Sequence, residues 1–143
     1  MPKTKLILPD RFPFSTQLPV RITDINYGGH VGNDSILSLI HEVRVQFLVH
    51  HGYTELDIAG VGLIMADVTI EFKNEIFYGD ILEASVAATE FSRVGFELYY
   101  KLTKKTGDKW VPVSFARTAM ICYDYSQKKI VSVPKEVCTK LLS

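Results

Sequence analysis

Cysteine is scarce in this chain, and the two residues present stand apart. Cys122 and Cys138 form neither a CxxC pair nor a metal-ligand spacing, so no zinc site and no disulfide framework is encoded and reduced thiols are expected. Net charge is lacking too. Sixteen basic and sixteen acidic side chains cancel, which leaves no global field to draw the protein onto nucleic acid or an anionic membrane. No window reaches the roughly eighteen apolar residues of a membrane-spanning helix. Met1 to Phe14 holds only a short Leu6-Ile7-Leu8 and no small-residue cleavage site, so a secretory signal is not expected and a cytoplasmic protein is. Internal repeats, low-complexity runs and domain linkers are also missing.

What is there is an ordinary globular mixture. With 143 residues, 47% of them hydrophobic and 22% charged, the chain is sized for one domain with one core, taken as residues 1–143. Residues 1–14 carry three of the six prolines and read as an N-terminal arm. From Ser15 to Thr23, Leu18, Val20 and Ile22 alternate with polar residues or proline, a period-two strand that reaches Asp24. Asp24-Ile25-Asn26-Tyr27-Gly28-Gly29-His30-Val31-Gly32-Asn33 follows, placing polar groups, adjacent glycines and a helix start within ten residues. Such a stretch builds a small polar site beside an apolar wall.

A long helix is expected to begin at Asn33 or Asp34, both good N-cap residues, and to close at Gly52. Ile36, Leu37, Ile40, Val43, Phe47 and Leu48 recur at three- and four-residue steps as its buried stripe. The period then changes to two. Leu63–Phe72 predicts a strand with Ile64, Ala66, Val68, Ile70 and Phe72 on one face, and Ile81–Phe91 predicts the next. Phe96–Lys104 and Trp110–Tyr125 predict a hairpin around Thr106-Gly107-Asp108. A short Ile130-Val131 strand and a terminal helix opened by Pro134 complete the chain. One helix followed by a run of strands implies an α+β domain, an antiparallel sheet with the helix on one face. The other face and the edges want a partner, so a homodimer with a continued sheet is expected.

This order of elements, with Gly29-His30-Val31-Gly32-Asn33 at the helix start, resembles the hotdog-fold acyl-CoA thioesterases. The resemblance is closest to the group of 4-hydroxybenzoyl-CoA thioesterase and its acyl-CoA thioester hydrolase relatives. Arg21-Ile22-Thr23-Asp24, His41-Glu42-Val43-Arg44, Phe72 with Tyr78-Gly79-Asp80, and Ser92-Arg93-Val94-Gly95-Phe96 support it, over roughly residues 18–134. It implies a homodimer or homotetramer with its sites at the dimer interface. It also implies hydrolysis of an acyl-CoA to a carboxylic acid and free CoA, with no metal or other cofactor.

One position departs from the family pattern. Where the family reads Asp-x-Asp-x-x-Gly and uses the second aspartate as the catalytic carboxylate, this chain has Asp24 and then Asn26. An amide has no useful basicity near neutral pH. Asn26 is then expected to donate to the thioester carbonyl or to hold a water, beside the amides of Gly32 and Asn33 at the helix N-terminus. The water-activating group stays open between Asp24, Glu42, Asp67 and His30, with a buried Asp24–Arg44 ion pair as the structural alternative for Asp24. Arg93 lies where the family holds the CoA phosphates. Two other readings stand beside hydrolysis: a hotdog enoyl-CoA hydratase using Asp24 and His30, and a non-catalytic acyl-CoA-binding protein.

Overall fold

The computed structural model describes residues 5–26, 29 and 32–142. In chain order the elements are β1 (Phe14–Pro19), a 3-10 turn (Ile22–Asp24), α1 (Asn33–His50), β2 (Gly62–Phe72), β3 (Ile81–Thr89), β4 (Gly95–Thr106), β5 (Lys109–Asp124), β6 (Lys129–Ile130) and α2 (Lys135–Leu141). The strands make one antiparallel sheet in the order β1-β3-β4-β5-β2, with β6 added to β5. The α+β expectation holds, with α1 packed on one face of the sheet. The strand order was not legible in advance: β2 leaves α1 for the far edge, and β3 returns to pair with β1.

β1 is shorter than its alternation suggests. It ends at Pro19, which has no amide to offer the ladder. Val20 donates instead to the Asp80 carbonyl at 2.9 Å, and the Asp24 carboxylate accepts the Arg21 backbone N–H at 2.8 Å. That bond curls residues 22–24 into the 3-10 turn and aims the chain at the start of α1.

The core lies between α1 and the facing side chains of β3, β4 and β5. Ile40, Val43, Phe47 and Leu48 of α1 are fully buried, each stabilising the fold by about 1.5–3 kcal/mol. The stripe is shifted from the expected one: Leu37 is 38% exposed, whereas Leu39 is 4% exposed. On the helical wheel Leu39 lies on the flank toward β1, beside the buried Leu18. Leu37 lies on the flank toward β2, where a hollow separates α1 from Met65.

β2 also departs from simple alternation. Its register with β5 slips between Met65 and Asp67, so Ala66 is the extra residue of a β-bulge and the parity reverses there. Leu63 and Met65 lie opposite the buried Cys122 and Met120, and beyond the bulge Val68 and Ile70 lie opposite the buried Thr118 and Ala116. Ile64 therefore faces away from α1, contrary to the expectation that it shares a face with Val68 and Ile70. A period count cannot register an inserted residue.

The face turned from α1 is partly covered by the chain itself. Glu71, Phe115, Lys101, Ser85 and Ser15 form one row across all five long strands of the sheet. The N-terminal arm runs back over this row: the Phe12 ring lies 4.9 Å beneath the Lys101 ammonium, and the Leu6 N–H donates to Glu71 Oε2 at 2.6 Å. Both cysteines are free, and burial pushes the Cys122 thiol up to about 11.

Candidate active site

Gly32 is the N-cap of α1, and its carbonyl accepts the Ile36 N–H at 3.1 Å. Neither Asn33 nor Asp34 takes the cap position; Gly32 does, and among the described residues no side-chain cap hydrogen bond is made there. The first-turn amides point out of this end of the helix, with the positive end of the helix dipole behind them. A side chain at Gly32 would crowd this place: a Cβ there would lie 2.8 Å from Asp34 Oδ1 and 3.5 Å from Asn26 Nδ2. The Asn26 amide therefore comes up against the start of α1. Its backbone carbonyl accepts the Gly29 N–H at 3.1 Å, and Gly29 takes φ +82° to close that turn. Asn26 thus lies beside Gly32 and the backbone of Asn33; His30 lies outside the described residues.

The candidate carboxylates are dispersed. Asp24 is 5% exposed and holds the Arg21 backbone N–H through Oδ2, with the Arg21 guanidinium 3.6 Å from Oδ1. Its expected ion pair with Arg44 is not formed, because Arg44 finds its carboxylate elsewhere. Glu42 projects on the β1 flank of α1 and accepts from Gln46 Nε2 at 2.9 Å, while Gln46 Oε1 accepts from Thr16 at 2.7 Å. Glu42 and Arg21 share a hollow of about 290 Å³ between α1 and β1. Asp67 lies on the sheet face turned from α1, bonded to Arg117 at 2.9 Å, and Arg117 also binds Glu97 at 2.7 Å.

Arg93 opens onto a separate hollow of about 400 Å³, which Phe91, Ser92, Lys135 and Thr139 also line. The Phe91 ring stacks on Phe96 at 5.0 Å, and the Arg93 carbonyl accepts the Val133 N–H at 2.8 Å. Two cations, hydroxyls and an aromatic wall suit a phosphorylated group.

Sequence reasoning missed a polar network under α1. Arg44 is 5% exposed, and Tyr100 and Thr118 are fully buried beneath it. Arg44 Nε donates to Glu55 Oε2 at 3.1 Å and Nη1 to the Tyr100 hydroxyl at 3.3 Å, which bonds Thr118 Oγ1 at 2.7 Å. Burial pulls the Arg44 guanidinium down, but Tyr100 and Glu55 outweigh it and hold it above its ordinary value. Burial pushes the Tyr100 phenol up, keeping the hydroxyl neutral. The other Glu55 oxygen lies 2.6 Å from His41 Nε2. An arginine on the flank of an apolar stripe was a signal that a buried partner exists; nothing in the connector's sequence singles out Glu55.

Among the described residues no group of three or more His, Cys, Asp and Glu is placed to hold a metal ion, and no helix is long and apolar enough to cross a membrane.

Comparison with known proteins places these features in context. The Thioesterase-like superfamily matches residues 20–141. A putative esterase of Aquifex aeolicus is 28% identical over 127 residues, covering 87% of this chain and 94% of that protein. The crystal structure of a hypothetical protein from Aquifex aeolicus superposes with a TM-score of 0.79 at 27% identity, covering 90% of this chain and 99% of the other. A 4-hydroxybenzoyl-CoA thioesterase variant in complex with 4-hydroxybenzoyl-CoA superposes with a TM-score of 0.81 at 17% identity, covering 91% and 98%. The sheet with one main helix packed on it is the hotdog fold.

Proposed function

The chain belongs to the thioesterase-like superfamily, and from that premise we propose that it hydrolyses acyl-CoA thioesters to a carboxylic acid and free CoA. The observation that carries the reading is the start of α1 at a glycine N-cap with the Asn26 amide against it. Thioester hydrolysis develops negative charge on the carbonyl oxygen, and fixed donors aimed at that charge are the largest single aid such a reaction receives. The amides of Gly32 and Asn33, with Asn26 Nδ2 beside them, supply those donors. Gly32 leaves room for the carbonyl to approach the backbone.

Asn26 acts in this scheme as a donor, the role an amide can fill and a carboxylate cannot. Asp24 holds the turn that presents Asn26. Asp24, Glu42, Asp67 and His30 are the sequence's candidates for the base that takes a proton from the attacking water. Arg93, joined by Lys135 in the 400 Å³ hollow, takes the phosphates of CoA. The middle of β2, residues 65–68, is exposed on a sheet edge, which supports a homodimer that continues the sheet there.

The test is release of free thiol from a panel of acyl-CoA esters varied in chain length and aromaticity, run on wild type and Asn26→Ala. Wild type is expected to turn over at least one ester. Loss of the amide donor is expected to lower kcat by about 10²-fold or more. No thiol release from any ester by the wild type would refute the reading, whereas consumption of a 2-enoyl-CoA without thiol release would favour a hydratase.

A further inference from the structure

The chain of contacts from Thr118 through Tyr100, Arg44 and Glu55 ends on His41, and this end faces open space. His41 lines a hollow of about 270 Å³ between α1 and the exposed edge of β2, together with Leu37, Ser38, Arg44 and Met65. We propose that His41 is the base that takes the proton of the attacking water, and that Glu55 is the residue that positions it. The assignment rests on the thioesterase reading above.

Three observations carry it. The first is the division of the Glu55 carboxylate, with Oε2 bonded to Arg44 Nε and Oε1 to His41 Nε2. A carboxylate paired with a guanidinium is ionised and can only accept, so His41 Nε2 carries a hydrogen and the neutral ring keeps its lone pair on Nδ1. The second is the support beneath. A surface histidine–glutamate contact is ordinarily loose and contributes little, but here the carboxylate is tied to a guanidinium that is itself buried and bonded to Tyr100. The imidazole is therefore held in one orientation while its side chain stays 58% exposed. The third is the surroundings. Leu37 and Met65 give the hollow apolar walls beside the base, and the titratable groups facing His41 are Glu55 from the connector after α1 and Arg44 on its own helix; β2 presents only Met65 to the hollow.

The chemistry balances without a further reactant. The His41 Nδ1 lone pair takes one proton from water as the water oxygen bonds to the thioester carbon, placing the negative charge on the carbonyl oxygen. When that intermediate collapses, the C–S bond breaks and the imidazolium returns its proton to the departing sulfur. The products are the carboxylic acid and the free thiol, with His41 neutral again.

Geometry adds one requirement. At about 1.5 Å per residue along a helix, Gly32 and His41 of one chain are some 13 Å apart, too far for both to serve one carbonyl. Two-fold pairing of a second copy on the β2 edge lays two α1 helices antiparallel, with their Leu37–His41–Arg44 flanks turned toward each other. Each site then takes its oxyanion donors from one copy and its base from the other.

The full-length protein and the best ester from the panel test this. His41→Gln is expected to lower kcat about 10²-fold or more, to leave KM within about threefold, and to keep the wild-type melting temperature. Glu55→Gln is expected to lower kcat by about tenfold through misorientation of the ring, with KM again little changed. Co-refolding equal amounts of His41→Gln and Asn26→Ala should then restore about one quarter of wild-type activity, since half of the dimers are mixed and each mixed dimer has one intact site. A His41→Gln enzyme with kcat within twofold of an active wild type would overturn the assignment of the base. Failure of the mixture to recover activity above either parent would overturn the two-copy site. A wild type that releases no thiol overturns instead the thioesterase reading beneath both.

Discussion

Removing the Tyr100 hydroxyl isolates what the buried network contributes to stability. Tyr100 and Thr118 are both fully buried, and the Tyr100 oxygen is bonded to Thr118 Oγ1 at 2.7 Å and to Arg44 Nη1 at 3.3 Å. Tyr100→Phe keeps the ring and its packing but leaves two groups without that partner, one hydroxyl and one guanidinium N–H. A buried polar group left unsatisfied costs about 1–3 kcal/mol. The phenylalanine recovers part of this because no hydroxyl then needs desolvating, so a loss of about 2–3 kcal/mol is expected. Thr118→Val should cost about 1–2 kcal/mol for the same reason. In the double variant the threonine no longer lacks a partner, so the two losses should fall short of additivity by about 1 kcal/mol. Urea unfolding followed by circular dichroism, at one fixed protein concentration, measures all four corners of the cycle. A Tyr100→Phe protein within about 0.5 kcal/mol of wild type, or strictly additive losses, would refute the view that this network is a connected, satisfied unit.

Two further expectations concern other parts of the fold. A Cβ at Gly95 would run into the Met120 carbonyl oxygen, a backbone atom of β5 that cannot move without opening the β4–β5 ladder; Gly95→Ala should therefore destabilise by about 2–3 kcal/mol, read as a shift in urea midpoint, and an unchanged midpoint would contradict that close approach. His51 packs its ring on Phe47 at 5.0 Å and on His50 at 4.9 Å, its Nε2 is buried with no partner among the described residues, and burial, with His50 and Lys140 adding, pulls its pKa below the ordinary 6.5. The unfolded chain then binds the proton more readily than the folded one, so the stability this neutral ring contributes is present above 6.5 and is lost as pH falls below it. The melting temperature should fall less between pH 7.5 and 5.5 in His51→Phe than in wild type, and an equal fall would remove His51 from the account.

The parts of the fold that could be read in advance are those set by local periodicity. α1 was marked by its apolar spacing and by Gly52, and the hairpin of β4 and β5 by Thr106-Gly107-Asp108, because each depends on neighbours within a few residues. What failed depends on partners far along the chain. The bulge at Ala66 is defined only by register with β5, and Leu37 is exposed because the wall opposite it belongs to another element. At the site, the loop's shortness alone keeps Asn26 near Gly32 and the start of α1. The choice of Glu55 rather than Asp24 as the partner of Arg44 was not legible in the sequence. Both carboxylates were available, and only the folded path of residues 51–61 decides between them.

The arm that lies across the back of the sheet reverses the order in which the chain is made. Leu6 is synthesised before every strand of the sheet, yet the row it crosses is complete only when Phe115 of β5 stands between Lys101 of β4 and Glu71 of β2. The arm leaves the ribosome ahead of the sheet and must therefore wait for the last long strand before it can dock. Its Leu6–Glu71 hydrogen bond forms only on a finished sheet. Because that bond ties the arm to the β2 edge, proteolytic sensitivity of residues 5–12 reports whether β2 is seated.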